Sequence, residues 1–285
     1  MLEKAARFVE DGYILGRGGF GVVYANDAVD PDVAVKHSGQ TATTCREWSS
    51  EYKKYVAMAR RLEGRGVTTL SHARALAIQG YVEDTHSGGC YMFMERIKRP
   101  PEDVLARAGI AVTPESAHLT FQLQLGSVSV DMPTKSRGHF IGVEQVERIL
   151  AAMGVADPAA YVAQLVEAEG ELLSAIHFVG LNDAYDIELL LHFDAADPSM
   201  PIKAVFADFD QTADMFENSG RRAFDLSWAL YADNIDRMEW AISAYPYFPE
   251  KSSPLWETFA SSYLSFAQGI GSAEGAAAAV VLSKV

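Results

Sequence analysis

Gly16-Arg17-Gly18-Gly19-Phe20-Gly21-Val22-Val23-Tyr24, followed by Val33-Ala34-Val35-Lys36, is the stretch on which the reading of this 285-residue chain turns. Glycines at 16, 18 and 21 let the backbone turn tightly and come close to phosphate oxygens that side chains would otherwise hold off. Val23 is an apolar residue placed to cover a planar base, and Lys36 ends an apolar strand as a fixed positive charge. A lone G-x-G-x-x-G says little. Here it lies between two β-like runs with an apolar strand and a lysine behind it. A glycine hairpin that binds nothing is the competing reading, since the two runs would pair either way.

This pattern resembles the glycine-rich loop and third strand of protein kinases, and the resemblance continues downstream. Leu181-Asn182-Asp183-Ala184-Tyr185-Asp186-Ile187-Glu188 follows a helical run ending at Gly180. Asp183 and Glu188 are five apart, as are the catalytic aspartate and metal-binding asparagine of H-R-D-L-x-x-x-N. The His and Arg positions hold Leu181 and Asn182, and the Asn position holds Glu188. Phe206-Ala207-Asp208-Phe209-Asp210 resembles the D-F-G metal site with Asp210 in place of glycine. Phe224-Asp225-Leu226-Ser227-Trp228 resembles the helix whose aspartate braces the catalytic loop. The fold expected is α+β, two-lobed and protein-kinase-like, with a small lobe over 1–98 and a mainly helical lobe over 99–285.

The small lobe reads as three strands over 11–38, a helix over 43–62, and strands over 75–84 and 89–97. Trp48, Tyr52, Tyr55, Ala59 and Leu62 recur at helical spacing. Glu51 lies on their side of the helix and can meet Lys36. Glu47 is the alternative partner, and a surface pair one turn apart is the competing reading for either acid. Pro100-Pro101 breaks the chain at the lobe boundary.

In the larger lobe, His118 to Leu125 alternates polar and apolar residues, and 127–131 repeats the pattern. This predicts an inserted antiparallel hairpin over about 118–131 with one wet face, outside the core. Residues 143–154 and 157–178 read as helices, the second opened by Asp157-Pro158. A turn over 195–201, helices over 222–243 and 253–268, and a short terminal helix complete the plan.

Composition bounds the chemistry. A hydrophobic content of 49% over this length suffices for a sizeable core. No apolar run of about 18 residues is present, so no membrane span is expected, and the first residues lack the apolar centre of a signal peptide. Cys45 and Cys90 show neither metal-site spacing nor a disulfide framework, which suits a reducing cytoplasm. The net charge of −14 argues against a broad nucleic-acid surface. Arg60, Arg61 and Arg65 form one basic cluster and Arg96, Lys98 and Arg99 another, either of which could be merely solvated.

Asp183, Asp186, Glu188, Asp208 and Asp210 converge on one cleft if the kinase alignment holds. Such acids could hold Mg²⁺, move protons, or bind a guanidinium between paired carboxylates. Like charges this close need a cation among them.

The blocks Asp186-Ile187-Glu188, Asp208-Phe209-Asp210-Gln211 and Tyr245-Pro246-Tyr247-Phe248-Pro249 also resemble D-V-E, D-F-N-Q and P-Y-Y-P of a fungal kinase-like family. That family includes the arginine-containing cyclodipeptide synthases. The resemblance implies an enzyme that joins arginine to a second amino acid, taking both from aminoacyl-tRNA, and needs no cofactor. It implies catalytic roles for Asp183, Glu188, Asp208 and Lys36, and substrate contacts at Asp186, Asp210 and Glu51. The end of the tRNA would lie under Gly16, Gly18, Gly21 and Val23. Arginyl-tRNA and a second charged tRNA are the implied partners, with Arg60, Arg61 and Arg65 as their basic path. The alternatives are an ATP- and Mg²⁺-dependent phosphotransferase, with Asp183 as base and Asp208 on the metal, and a nucleotide-binding scaffold without catalysis.

Overall fold

The computed structural model describes the chain except residues 19–20, 39–41, 68–69, 71, 85, 87, 112–119, 127–138, 195–196, 198, 210–211, 217–227 and 245, and except the side chains at 17–18, 42–44 and 139. A first helix, α1 (Leu2–Asp11), turns Ala5 and Phe8 onto the back of a sheet, against Val33, Val35, Tyr91 and Phe93. At Gly12 a Cβ would stand 2.1 Å from the Phe8 carbonyl oxygen, so only glycine lets the chain turn there.

That sheet contains β1 (Tyr13–Gly18), β2 (Gly21–Asn26), β3 (Asp30–His37), β5 (Ile78–Glu83) and β6 (Cys90–Glu95), all antiparallel in the order β1-β2-β3-β6-β5. Helix α2 (Ala42–Gly64) lies against it and buries Cys45, Trp48, Glu51, Tyr55, Met58 and Leu62. The spacing is that of one helical face, and its one acid lies among apolar residues.

Two strand assignments depart from the sequence reading. The strand expected over 75–84 is two strands. β4 (Ala73–Ala75) leaves the first sheet and pairs in parallel with β10 (Ile202–Ala207), while β5 stays in the first sheet. The Leu76 amide donates to the Phe206 carbonyl at 2.8 Å, so the chain crosses between sheets at that point.

The second departure concerns the expected hairpin. Phe121–Gln124 forms β7, which is internal to the second sheet, of order β4-β10-β9-β7-β8 with β8 (His139–Gly142) and β9 (Glu188–Phe193). β7 runs antiparallel to β9 and parallel to β8. Phe121, Gln122 and Leu123 are all buried. The alternation is real, but its polar member faces an acid and not water. The run 127–131 lies outside the described residues.

Behind the second sheet, α4 (Val143–Ala152) and α5 (Pro158–Phe178) follow the short α3 (Glu102–Arg107). Asp157 caps α5, its Oδ1 accepting from the Ala160 amide at 3.0 Å. The helix expected over 222–243 divides into α6 (Trp228–Ala232) and α7 (Ile235–Ser243), with buried Asn234 between them. Its Nδ2 donates to the Met215 and Leu230 carbonyls. α8 (Trp256–Ile270) and α9 (Ser272–Lys284) close the lobe. Gly170 of α5 lets α8 approach, because a Cβ there would meet Ser262 Oγ at 2.2 Å.

The result is an α+β architecture of two five-stranded sheets, the first antiparallel with one long helix against it. No helix among the described residues is long and apolar enough to cross a membrane. The two cysteines, far apart in sequence, form a disulfide that joins the first turns of α2 to the start of β6. This corrects the expectation of unpaired thiols: packing of α2 across the sheet brings together residues that sequence spacing keeps apart.

Candidate active site

Lys36 is fixed by its strand. It pairs across β3 with Val23 of β2 and Met92 of β6, which sends its side chain to the face covered by α2. Its Nζ lies 2.9 Å from Asp208 Oδ1, 3.6 Å from Glu51 Oε2 and 5.1 Å from the Trp48 ring centroid. Glu51 is 3% exposed and Asp208 35%, so one acid is deep and the other opens to the cleft. Glu47, the alternative partner, is exposed.

The strand after the glycine loop meets this centre at Gly21. At Gly21 a Cβ would stand 2.7 Å from Trp48, so that glycine is required by packing on α2. At Gly16 a Cβ would meet nothing within 4 Å, so packing does not require glycine there. Gly18 pairs with Gly21 at the end of the hairpin, and Val23 packs on an apolar cluster shared by both sheets. Leu15, Ala34, Met94, Leu190 and Val205 belong to that cluster.

Glu188 opens β9 beside Asp208. Burial and the neighbouring Asp208 charge push its carboxyl up to about 8, against the opposing pull of Lys36 and of a hydrogen bond with Gln122. Asp186 adds a smaller upward push. Lys36, Glu51, Glu188 and Asp208 thus form one connected charge system, with Asp186 at its edge. Asp210 lies outside the described residues.

Asp183 is placed differently. It is fully buried, and its carboxylate is taken up by the protein. Oδ1 accepts from the Ala213 amide at 2.8 Å and the Tyr185 amide at 3.1 Å, and Oδ2 accepts from Arg237 Nε. Arg237 also lies over Tyr185, at 4.1 Å from guanidinium carbon to ring centroid, and Tyr185 stacks on Trp240 with centroids 3.9 Å apart. Asp183 therefore clamps the loop that presents Asp186 and Glu188.

Further bonds fix the same loop. Asn182 accepts from the Ala184 amide and donates to Thr212 Oγ1, which donates to the Phe209 carbonyl. From α2, Lys54 donates to the Thr212 carbonyl, and Arg61 reaches the Gly180 carbonyl and Asp214. Leu181, Ala184, Asp186 and Asp208 all have positive φ, between 52° and 65°. Such non-glycine backbone persists where surroundings hold it, and it gathers at functional sites.

Sequence reasoning missed Gln122, Arg237 and Trp240. Arg237 and Trp240 share a helix face, but nothing in their spacing points to Asp183. It also left Arg61 as a candidate for tRNA, whereas Arg61 is committed to the second lobe. Arg96 pairs with Asp27, Lys98 with Asp32, and Arg99 lies over Phe121. Arg60 and Arg65 remain exposed.

No family model matches the chain, and no curated protein matches it. Among solved structures, the complex of the aminoglycoside phosphotransferase APH(2")-IIia with GDP and kanamycin is similar at 9% identity and a TM-score of 0.27, over 96% of this chain and 92% of that one. A thermostable mutant of the aminoglycoside phosphotransferase APH(4)-Ia, without ligand, is similar at 12% identity and a TM-score of 0.25, over 97% and 95%. Likeness at that level carries no argument about activity.

Proposed function

We propose that the chain is a nucleotide-dependent phosphotransferase acting on a small cationic molecule. The observation that carries this reading is Lys36 Nζ held between buried Glu51 and the partly exposed Asp208, on the strand next to the one that follows the glycine loop. Phosphoryl transfer asks the protein mainly for positioned charge and little for covalent chemistry. Glu51 holds the ammonium in place, and the ammonium supplies the positive charge for phosphate oxygens. A planar base would lie against the apolar residues that both sheets contribute near Val23.

Mg²⁺ fits the donor set in its usual manner. Among the described residues no group of three acids or imidazoles forms a complete protein cage. Magnesium is commonly held by one or two carboxylates together with substrate phosphates. Asp208 is the carboxylate open to that role. When bound, the ion neutralises charge on the transferring phosphate. Asp183 acts as a positioning residue in this scheme, since its oxygens are occupied. Asp186 and Glu188 line the acceptor side and favour a substrate that carries amino or guanidino groups.

The test is calorimetric titration with Mg-ATP, followed by transfer of labelled γ-phosphate to a panel of hydroxylated amines. Binding that is lost in Lys36→Met supports the reading. Absence of binding by the wild-type protein overturns it.

The carboxylates around Glu188 favour a second reading, the arginine-containing cyclodipeptide synthase. A protonated Glu188 would ionise as a guanidinium enters, giving a fork-to-fork pair. That reading needs a basic path for tRNA, of which Arg60 and Arg65 are the exposed part. Ribonuclease-sensitive formation of cyclo(Arg-Xaa) from a charged tRNA pool, without phosphate transfer from ATP, would establish it in place of the first.

A further inference from the structure

A pocket opens at the start of α2 and shares no lining residue with the charge system around Lys36. It has a volume of about 450 Å³ and is lined by Cys45, Arg46, Ser49, Ser50 and Lys53 of α2, facing Glu83, Asp84, Gly88 and Gly89 at the end of β5 and the turn after it. Cys45 contributes to its floor, whereas Cys90, its disulfide partner, is completely buried.

The two sulfur atoms are not equivalent. Ser38 Oγ lies 2.8 Å from Cys90 Sγ and 3.5 Å from Cys45 Sγ. A disulfide sulfur carries no hydrogen, so in these contacts the hydroxyl is the donor. Ser38 Oγ in turn accepts from the Cys90 amide at 3.2 Å, which leaves its own proton directed at sulfur. A hydroxyl donor on one sulfur stabilises negative charge there and makes that sulfur the better leaving group.

The walls carry charge of both signs, and both acids accept hydrogen bonds from neighbouring neutral groups. Glu83 accepts from the Tyr81 hydroxyl, and Asp84 accepts from the His86 amide. Arg46 and Lys53 are exposed and make no ion pair among the described residues.

We propose that this pocket is a thiol–disulfide exchange site for a small thiol bearing carboxylates, with Cys45 as the sulfur attacked. The incoming thiolate forms a bond to Cys45 Sγ as the Cys45–Cys90 bond breaks. The electron pair leaves on Cys90 Sγ, which takes a proton from solvent and is stabilised meanwhile by Ser38. One disulfide is exchanged for another, so no external oxidant is needed. A second equivalent of the same thiol would release Cys45 and carry away the oxidising equivalent as its own disulfide. Arg46 and Lys53 hold the carboxylates of the incoming molecule. The inference is independent of the reaction assigned to the cleft.

The experiment uses the intact oxidised protein and two probe thiols, glutathione and cysteamine, at matched thiolate concentration. Samples are quenched in acid, unfolded, alkylated and mapped by mass spectrometry. The expected result is a glutathionyl group on Cys45, alkylation of Cys90, and opening by glutathione about tenfold faster than by cysteamine. The double variant Arg46→Ala, Lys53→Ala, changed only at exposed positions, should bring the two rates close together. An adduct on Cys90, equal rates in the wild-type protein, a rate ratio unchanged by the double variant, or no opening by either thiol would each overturn the proposal.

Discussion

Arg237 Nε donates to Oδ2 of the fully buried Asp183, and with the Ala213 and Tyr185 amides it occupies the carboxylate. Removing the guanidinium takes away the cation that pairs with this buried charge. Breaking a buried pair typically costs 3–5 kcal/mol, and exposure of about a third of the Arg237 side chain reduces this to about 2–3 kcal/mol. Arg237→Met should lower the urea midpoint accordingly. The second change Asp183→Asn should recover part of the loss, because it removes the stranded charge. An additive double-mutant cycle would refute the clamp.

Glu51→Gln keeps the shape of the side chain that holds Lys36 but removes its charge. Mg-ATP affinity should fall about 10- to 100-fold, equivalent to about 1.4–2.7 kcal/mol. Titration calorimetry measures it directly, with circular dichroism to show an unchanged fold. An unchanged affinity would separate Glu51 from the nucleotide site.

Glu169 of α5 gives a pH prediction. It is fully buried, neither of its oxygens has a hydrogen-bond partner among the described residues, and burial raises its carboxyl well above the ordinary value. The folded state therefore retains a proton that the unfolded state releases above about pH 4.3. Proton binding is greater in the folded state, so stability falls as pH rises above that value, by up to about 1.4 kcal/mol per unit until the folded carboxyl itself titrates. Denaturation of wild type and Glu169→Gln at pH 5 and pH 8 should show the slope in the former and its loss in the latter.

β7 is a core strand. Leu123→Ala should cost about 2–4 kcal/mol, as for other large-to-small changes at buried sites. Deleting 121–124 should abolish cooperative unfolding. A deletion variant with a wild-type melting transition would show that the strand is dispensable.

Much of the first lobe was legible because its signals are local. Strand alternation places Lys36, helical periodicity places Glu51, and both act within a short stretch of chain. Glu188 and Asp208 were legible from the spacing of acids around two strands. Asp183 was visible as a residue but not as a clamp, because Arg237 comes from a distant helix and no periodicity links them. Gln122 escaped because alternation does not distinguish a polar side chain that faces water from one that faces a buried acid. The crossing at Leu76 escaped because 75–84 reads as one continuous strand. The disulfide escaped because only the seating of α2 on the sheet joins its two ends.

Helix α2 has one more consequence, a mechanical one. Near its start it is bolted covalently to the first sheet through Cys45, and along its second half Lys54 and Arg61 grip the Gly180 and Thr212 carbonyls and Asp214 of the other lobe. The chain also passes between the sheets at Leu76 as well as through the segment after β6. The two halves are thus joined at several points and not by a single connector. Parting the two halves would first have to break the Lys54 and Arg61 grips, which makes α2 a brace across the cleft and not a free hinge.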